Sequence, residues 1–346
     1  MSSDSPGCSL IKNRFRIIEN IGQGAYGSVY KALDLLNNKI VALKTVKIFD
    51  HKQSMPVSFF RELKVLQSIK DSHIIQYFET IRSNDSTFIS MECCDTDLQK
   101  QLSSRYRLSF IQIKSLMKQL LQGLNTLHSN GFAHRDIKPA NILLKGGSQL
   151  KIADLGLSKQ ILNQRLTSKV CALAYRAPEL ILGSKDYTFS VDIWSAGVIF
   201  YELLTGLPFP AAGSEIGQID KIFQLTGTPN NSETNSNEDI KLFNFYCQLP
   251  NWNITSMLSS HTRTLEQFLE KLIPLEMQEA IPILLEMLSL NPEKRPSASQ
   301  LLQYDFFSFD EEAIPKIPHP EIKVVEQRCI TPPYVHRPAP ILLVCN

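Results

Sequence analysis

His134-Arg-Asp-Ile-Lys-Pro-Ala-Asn141 decides the reading of this chain. It sets a carboxylate (Asp136), an ammonium (Lys138) and a side-chain amide (Asn141) at fixed offsets. Phosphoryl transfer uses those three groups: one to orient and deprotonate a hydroxyl, a cation for the migrating phosphoryl, and a metal ligand. A pattern of this length rarely arises by chance. Partners for it stand elsewhere in the chain, in a consistent order.

Toward the N-terminus, Gly22-Gln-Gly-Ala-Tyr-Gly27-Ser-Val29 is a GxGxxGxV loop. Gly22, Gly24 and Gly27 let backbone amides approach phosphate oxygens with no Cβ between. Alone, such a loop reads equally as a turn between strands. A strand follows it, rather than the helix of a dinucleotide fingerprint. Val41-Ala-Leu-Lys44 then places a lysine on a strand. A lone strand lysine is commonly a solvated edge residue, but Glu62, on the next helix, offers Lys44 an ion-pair partner. Toward the C-terminus, Asp154-Leu-Gly156 follows the strand-like Leu150-Lys-Ile-Ala, and its carboxylate suits Mg²⁺. Ala177-Pro-Glu179 lies further on, and Arg295 within Asn291-Pro-Glu-Lys-Arg-Pro296 is an apt partner for Glu179. Taken singly, each of these also reads as turn or surface charge.

The texture of the chain changes near residue 97. Before it, Phe15 to Ile21, Ser28 to Leu33, Lys39 to Val46 and Phe88 to Cys93 are short β-type runs. Val57 to Ile69 has helical spacing through Phe59, Phe60, Leu63, Leu66 and Ile69. After it, Leu116, Leu120, Leu124 and Leu127 space out a helix ending near Asn130-Gly131. Asp192 to Leu204 is apolar nearly all round, which predicts a fully buried helix. Helical patterning over 265–302 is broken at Pro274, Pro282, Pro292 and Pro296. Residues 228–240 read as a polar loop. The proline-rich stretch from about 309 reads as an extended arm or disorder.

Composition sets few further limits. The 346 residues are 43% apolar, with net charge +2 from 36 basic and 34 acidic residues. That balance gives no field for nucleic acid or an anionic membrane. Seven scattered cysteines without a CxxC spacing fit a reducing compartment. Met1 to Asn13 lacks an apolar signal core, and Asp192 and Glu202 bound the apolar stretch near Trp194 too closely for a bilayer span. The expectation is a soluble intracellular protein of nucleus or cytoplasm, with no membrane and no direct nucleic-acid contact.

Together these motifs resemble a eukaryotic protein kinase, in the family's order, over roughly residues 15 to 308. The resemblance narrows to the cyclin-dependent kinases. Pro56-Val-Ser-Phe-Phe-Arg-Glu62 is similar to their cyclin-binding helix signature, and Tyr175-Arg-Ala-Pro-Glu179 to the form of their larger group. Ser214-Glu-Ile-Gly-Gln-Ile with Gly227-Thr-Pro229 resembles the start of that group's insert. The resemblance implies an α+β, bilobal fold: a tail (1–14), a small antiparallel-sheet N-lobe with one regulatory helix (15–93), a larger, mainly helical C-lobe (94–308) and a proline-rich tail (309–346).

It also implies roles. Asp136 would accept the substrate proton, with Lys138 supporting the γ-phosphate. Asn141 and Asp154 would hold Mg²⁺. Lys44, paired with Glu62, would contact the α- and β-phosphates of ATP. Ile21, Val29, Ala42 and Leu143 would sandwich the adenine, although simple core packing would bury most of them anyway. Glu92 and Cys94 would offer backbone groups to its edge, with Met91 as gatekeeper and Asp97 near the ribose. Thr167 fits the activating phosphorylation site, with Arg61, Arg135 and Lys159 as phosphate receivers and Tyr26 as an inhibitory site. A lysine at the last receiver position cannot grip bidentately, so this clamp should be weaker. Docking of a cyclin-like subunit on Phe59-Phe60 would push the helix inward and complete the Lys44–Glu62 pair, and protein substrates would be the other partners.

The chain departs from the family pattern at several points. Ala172 replaces a threonine that bridges the catalytic aspartate and lysine, Ala174 a tryptophan, and Cys171 a valine linked to proline preference, while Arg176 is kept. Ala25 replaces one of two inhibitory residues. Leu155 replaces the aromatic of Asp-Phe-Gly, in a column with Leu66, Tyr77 and His134. An inactive kinase-like scaffold, resting on Ala172 and Leu155, and a kinase of the same group needing no cyclin stand as alternatives.

Overall fold

The computed structural model describes residues 10–24, 27–47, 57–83, 86–161, 172–230, 236–310 and 314–320. Thr167, Tyr26, Ala25 and Cys171 lie outside these residues, as does the proline-rich tail from residue 321 onward. The first half builds one antiparallel sheet from β1 (Leu10–Ile11), β2 (Phe15–Gly24), β3 (Gly27–Asp34), β4 (Lys39–Lys47), β5 (Tyr77–Ser83) and β6 (Ser86–Glu92), with helix α1 (Val57–Ser68) inserted after β4. The strand order is β1-β2-β3-β4-β6-β5. One face of the sheet packs a small core of Phe15, Ala32, Val41, Leu43, Ile81 and Phe88. Arg14 fastens the end of β3 through two bonds to Asp34, at 2.8 and 2.7 Å.

The sequence pattern finds four of these strands but not β5. Its burial runs mixed rather than alternating, and a bulge falls between Tyr77 and Glu79. At the edge of a sheet, pairing with β6 holds a strand whose own sequence is only weakly patterned.

Beyond β6, the chain is mainly helical. In order come β7 (Thr96–Asp97), α2 (Leu98–Ser103), α3 (Phe110–Ser129), β8 (Phe132–Ala133), β9 (Ile142–Lys145), β10 (Gln149–Ile152), β11 (Lys159–Gln160), α4 (Pro178–Ile181), α5 (Ser190–Thr205), α6 (Glu215–Thr226), α7 (Asn237–Cys247), α8 (Leu265–Leu272), α9 (Ile281–Met287) and α10 (Ala298–Leu301). Helix α5 is the central post: every residue from Ser190 to Leu204 is buried. Its large side chains, Trp194 and Phe200 among them, each contribute roughly 1.5–3 kcal/mol by burial. No helix among the described residues is long and apolar enough to cross a membrane.

Two expectations need correction. Pro282 opens α9 at its first turn instead of breaking a helix, because that position needs no N–H donor. The polar stretch 228–240 turns helical at Asn237, where Ser236 and Asp239 form a reciprocal capping box. Within the stretch read as an extended arm or disorder, residues 314–320 have neither helix nor strand and touch the rest of the chain at a few points. Ile317 is buried, its N–H donates to Gly147 O at 2.6 Å, and His319 Nε2 lies 3.1 Å from Asp95 O.

Candidate active site

The sheet and the helical part meet at a cleft, and the glycine loop roofs it. Gly22 pairs with Val29, and Gly24 with Gly27, across the β2–β3 hairpin. Gly27 is sterically compelled: its φ is 154°, and an added Cβ would fall 2.1 Å from Thr45 O, whereas one at Gly22 would meet Val29 at ordinary contact distance. Apolar side chains face each other from both parts. Ala42 and Met91 are buried cross-strand partners on β4 and β6, Val29 and Leu143 are half-buried, and Ile21 is exposed.

Two charged clusters stand below. In the first, Lys44 Nζ donates to both carboxylate oxygens of Glu62, at 2.7 and 2.9 Å, and to Asp154 Oδ1 at 2.9 Å. Burial alone would lower the Lys44 ammonium, but Glu62 and Asp154 outweigh it and hold the group above its ordinary value. Burial likewise favours a neutral Asp154, and Lys44 reverses this, so its carboxyl lies below the usual range. Asp154 sits in the left-handed region, φ 59°, which aspartate tolerates better than most residues.

In the second cluster, Asp136 Oδ2 accepts from Lys138 Nζ at 2.7 Å and from Asn141 Nδ2 at 2.9 Å. Asn141 Nδ2 also donates to Asp136 O at 2.8 Å, which leaves the amide oxygen as the atom able to ligate. The N–H of Ala172 lies 3.3 Å from Asp136 Oδ1. Backbone thus reaches the carboxylate where the absent threonine hydroxyl was missed. Asn141 and Asp154 together offer oxygen donors. Two protein oxygens suit Mg²⁺, which keeps waters and takes phosphate oxygens as its remaining ligands. Among the described residues, no group of three or more His, Cys, Asp and Glu side chains forms a metal cage.

The loop carrying Asp136 hangs from α5. Buried Asp192 accepts from His134 N–H and Arg135 N–H, both at 2.8 Å, and His128 Nε2 lies 3.0 Å away. Burial would raise this carboxyl, and His128, His134 and Arg135 hold it low instead. Arg135 takes a positive φ of 67°, and its guanidinium reaches Leu157 O at 2.8 Å and Tyr187 OH at 3.0 Å. His134 is fully buried, donates through its Nε2–H to Ala153 O (3.0 Å), and accepts the Asp136 N–H on Nδ1 (3.1 Å). Further down, Arg295 grips Glu179 bidentately at 2.7 and 2.8 Å, with both side chains buried. A cavity of about 800 Å³ near Arg263, Glu286 and Lys294 shares none of the cleft residues.

The protein kinase domain family matches residues 15–307. The chain belongs to the protein kinase family. Its relatives include cyclin-dependent kinase 12 of Caenorhabditis elegans, 35% identical over 304 residues, covering 84% of this kinase and 40% of the relative. The CTD kinase subunit alpha of Schizosaccharomyces pombe is 36% identical over 301 residues, covering 86% and 49%. This kinase therefore spans less than half the length of those two. The cell division control protein 2 homolog 3 of Trypanosoma brucei brucei is 36% identical over 299 residues, covering 86% of this kinase and 92% of the relative. Among solved structures, the yeast RNA Pol II CTD kinase CTDK-1 complex contains a chain that matches with TM-score 0.75 at 29% identity, covering 93% of this kinase and 98% of that chain. The family resemblance to cyclin-dependent kinases and the kinase fold read from the sequence both hold.

The structure of this kinase brings Lys44, Glu62 and Asp154 into one cluster and Asp136, Lys138 and Asn141 into another. The Lys44–Glu62 pair is closed in this structure. Phe59 is buried in the core and anchors α1, whereas Phe60 is 56% exposed and meets the Phe59 ring edge-on at 5.4 Å. Leu155 is fully buried alongside Leu66 in the main core, with Tyr77 packed on it, so an aliphatic residue fills its place. Asp97 caps α2, accepting from Lys100 N–H at 2.9 Å. Arg61 and Lys159 are half-buried on α1 and β11. Arg176 pairs with Glu215 at 2.8 Å.

Sequence reasoning missed Asp192 as the anchor of the loop. A lone carboxylate inside an otherwise apolar helix was the available signal, since such a group must find buried partners. The Glu92 side chain was missed too, because its lysine partners lie more than fifty residues away and nothing local marks it.

Proposed function

We propose that this kinase transfers the γ-phosphoryl of ATP to serine or threonine hydroxyls of protein substrates, with a preference for a following proline. A cyclin-like subunit and a phosphate on Thr167 raise its activity. The observation that carries the reading is the pair of clusters, Lys44–Glu62–Asp154 and Asp136–Lys138–Asn141, facing one cleft.

The roles follow from the contacts. Asp136 Oδ1 orients the substrate hydroxyl and takes its proton, while Lys138 and Asn141 keep Oδ2 in place. Lys138 also balances charge on the transferring phosphoryl. Lys44, fixed by Glu62, holds the α- and β-phosphates. Ile21, Val29, Ala42 and Leu143 exclude water from the adenine, and the main chain of Glu92 and Cys94 binds its edge, beside Met91. The loop glycines, Gly22, Gly24 and Gly27, cover the phosphates, and Asp97 stands at the ribose. Asn141 and Asp154 would hold Mg²⁺, which supplies charge neutralisation to the phosphate oxygens.

Regulation has separate support. Val57 and Phe60 are exposed on α1, an apolar face for a partner. One relative is named as a kinase subunit, and the matching solved structure is of a complex. With Lys44–Glu62 already closed, the partner acts by holding α1 in place rather than by moving it in. A phosphate on Thr167 brings nearly two negative charges for Arg61, Arg135 and Lys159, and one on Tyr26 would act at the glycine loop. The decisive assay compares Ser-Pro with Ser-Ala peptides, with and without a candidate cyclin, for wild type and Thr167→Ala. Full activity alone would remove the cyclin requirement; equal rates on the two peptides would remove proline direction; an unaffected Thr167→Ala would remove the activating phosphate.

A further inference from the structure

Glu92 ends β6, where the chain crosses from the sheet to the helical part. Its carboxylate is buried and takes three donors. Gln76 N–H and Lys151 Nζ reach Oε1 at 2.8 Å each, and Lys145 Nζ reaches Oε2 at 2.9 Å. Glu92 N–H in return donates to Gln76 O at 2.9 Å. Lys151 is itself only 7% exposed, whereas Lys145 is 43% exposed. Burial would push the Glu92 carboxyl up, but Lys151, Lys145 and Gln76 hold it low, so the group is anionic and paired.

The far end of the crossing is fastened to the same hairpin. Asp95 N–H donates to Leu144 O at 2.9 Å, and Asp95 Oδ2 accepts from Gly146 N–H at 2.6 Å. Lys145 lies on β9 and Lys151 on β10, and Lys151 stands directly opposite Leu143 in their register. Leu143 is the floor of the cleft. One hairpin therefore carries both that floor and the lysines that grip the crossing segment.

We propose that the Glu92–Lys151–Lys145 clamp is a positioning device for the nucleotide. It fixes the main chain of residues 92–95 against Leu143, and so sets affinity for an adenine nucleotide without touching the reacting atoms. The inference rests on the ATP reading of the cleft. Removing Lys151 leaves the buried Glu92 carboxylate with only the half-exposed Lys145 and the Gln76 N–H, whereas removing Lys145 leaves the buried Lys151 partner in place. That asymmetry separates a clamp from loosely placed surface charges.

The test titrates ADP calorimetrically into wild type, Lys151→Met, Lys151→Arg, Lys145→Met and the double variant Glu92→Gln/Lys151→Met, and follows amide exchange at residues 93–95 without nucleotide. Lys151→Met is expected to weaken ADP by about tenfold and to speed exchange, with kcat within about twofold, because the Asp136 cluster holds itself together. Lys151→Arg should recover most of that loss, whereas the double variant, which removes the clamp altogether, should bind ADP no better than Lys151→Met. Lys145→Met should cost less than about threefold, as its ammonium is partly solvated. If Lys151→Met does not fold, Lys145→Glu, which sets like charges side by side at an exposed position, should also weaken ADP. Unchanged ADP affinity and exchange in folded Lys151→Met, or in Lys145→Glu, would overturn the clamp, as would a fall in kcat at constant KM. Absence of ADP binding by wild type would instead sink the ATP reading, and amide exchange would still report on the clamp.

Discussion

Asp192→Asn is the sharpest single perturbation of the catalytic loop. The carboxylate serves two backbone donors and His128 with its two oxygens. An asparagine keeps one acceptor. If that oxygen stays on Arg135 N–H, the new NH₂ group faces His134 N–H, and a buried donor loses its partner. A lost charge-assisted bond costs about 1.5–3 kcal/mol. Turning the surviving bond from charged to neutral costs about 1 kcal/mol more. Destabilisation of about 2.5–4 kcal/mol follows. These bonds also hold Arg135 in its left-handed conformation, which costs a non-glycine residue about 1–2 kcal/mol. Once released, the loop can relax and carry Asp136 with it. A misplacement of about 1 Å is enough for a loss near 10²-fold in rate. Urea unfolding at pH 7, read beside steady-state phosphorylation of a Ser-Pro peptide, measures both effects. An asparagine variant within about 1 kcal/mol and twofold of wild type would refute the reasoning.

Two further outcomes test separate parts of the fold. Arg295→Met should destabilise by about 3–5 kcal/mol in equilibrium unfolding, because Glu179 is left buried and unpaired, while Glu179→Gln/Arg295→Met should recover part of it. Hydrogen bonds from Arg14 lower the Asp34 carboxyl from the usual 3.8 to about 2, against burial, with help from Leu36 N–H. A depressed carboxyl contributes stability that is complete above its unfolded value and fades as pH falls toward the folded one. Wild type should therefore exceed Asp34→Asn by about 1–2 kcal/mol at pH 7 and pH 5, with the gap narrowing below about pH 4.

What the sequence made legible was the set of groups whose chemistry is local or whose offset is fixed by a regular element. Lys44 on a strand and Glu62 on the following helix meet as their positions imply. Glu179 and Arg295 meet across more than a hundred residues because both belong to recognisable motifs. Asp192, Glu92 and Ile317 were not legible in the same way. Each gains its role from partners far away in the chain: a loop backbone, two lysines of a hairpin, and the turn at Gly147. Strand β5 escaped for a related reason, since its neighbour, rather than its own alternation, holds it. Periodicity alone placed Phe59 and Phe60 equally in the core of α1, whereas Phe59 is buried and Phe60 is exposed.

The most direct measurement is transfer of labelled γ-phosphate from Mg·ATP to Ser-Pro and Thr-Pro peptides by wild type and by Asp136→Asn. The account predicts label on serine and threonine with wild type, and a loss of about 10²–10⁴ in rate with the variant. Equal labelling by the two proteins would contradict it.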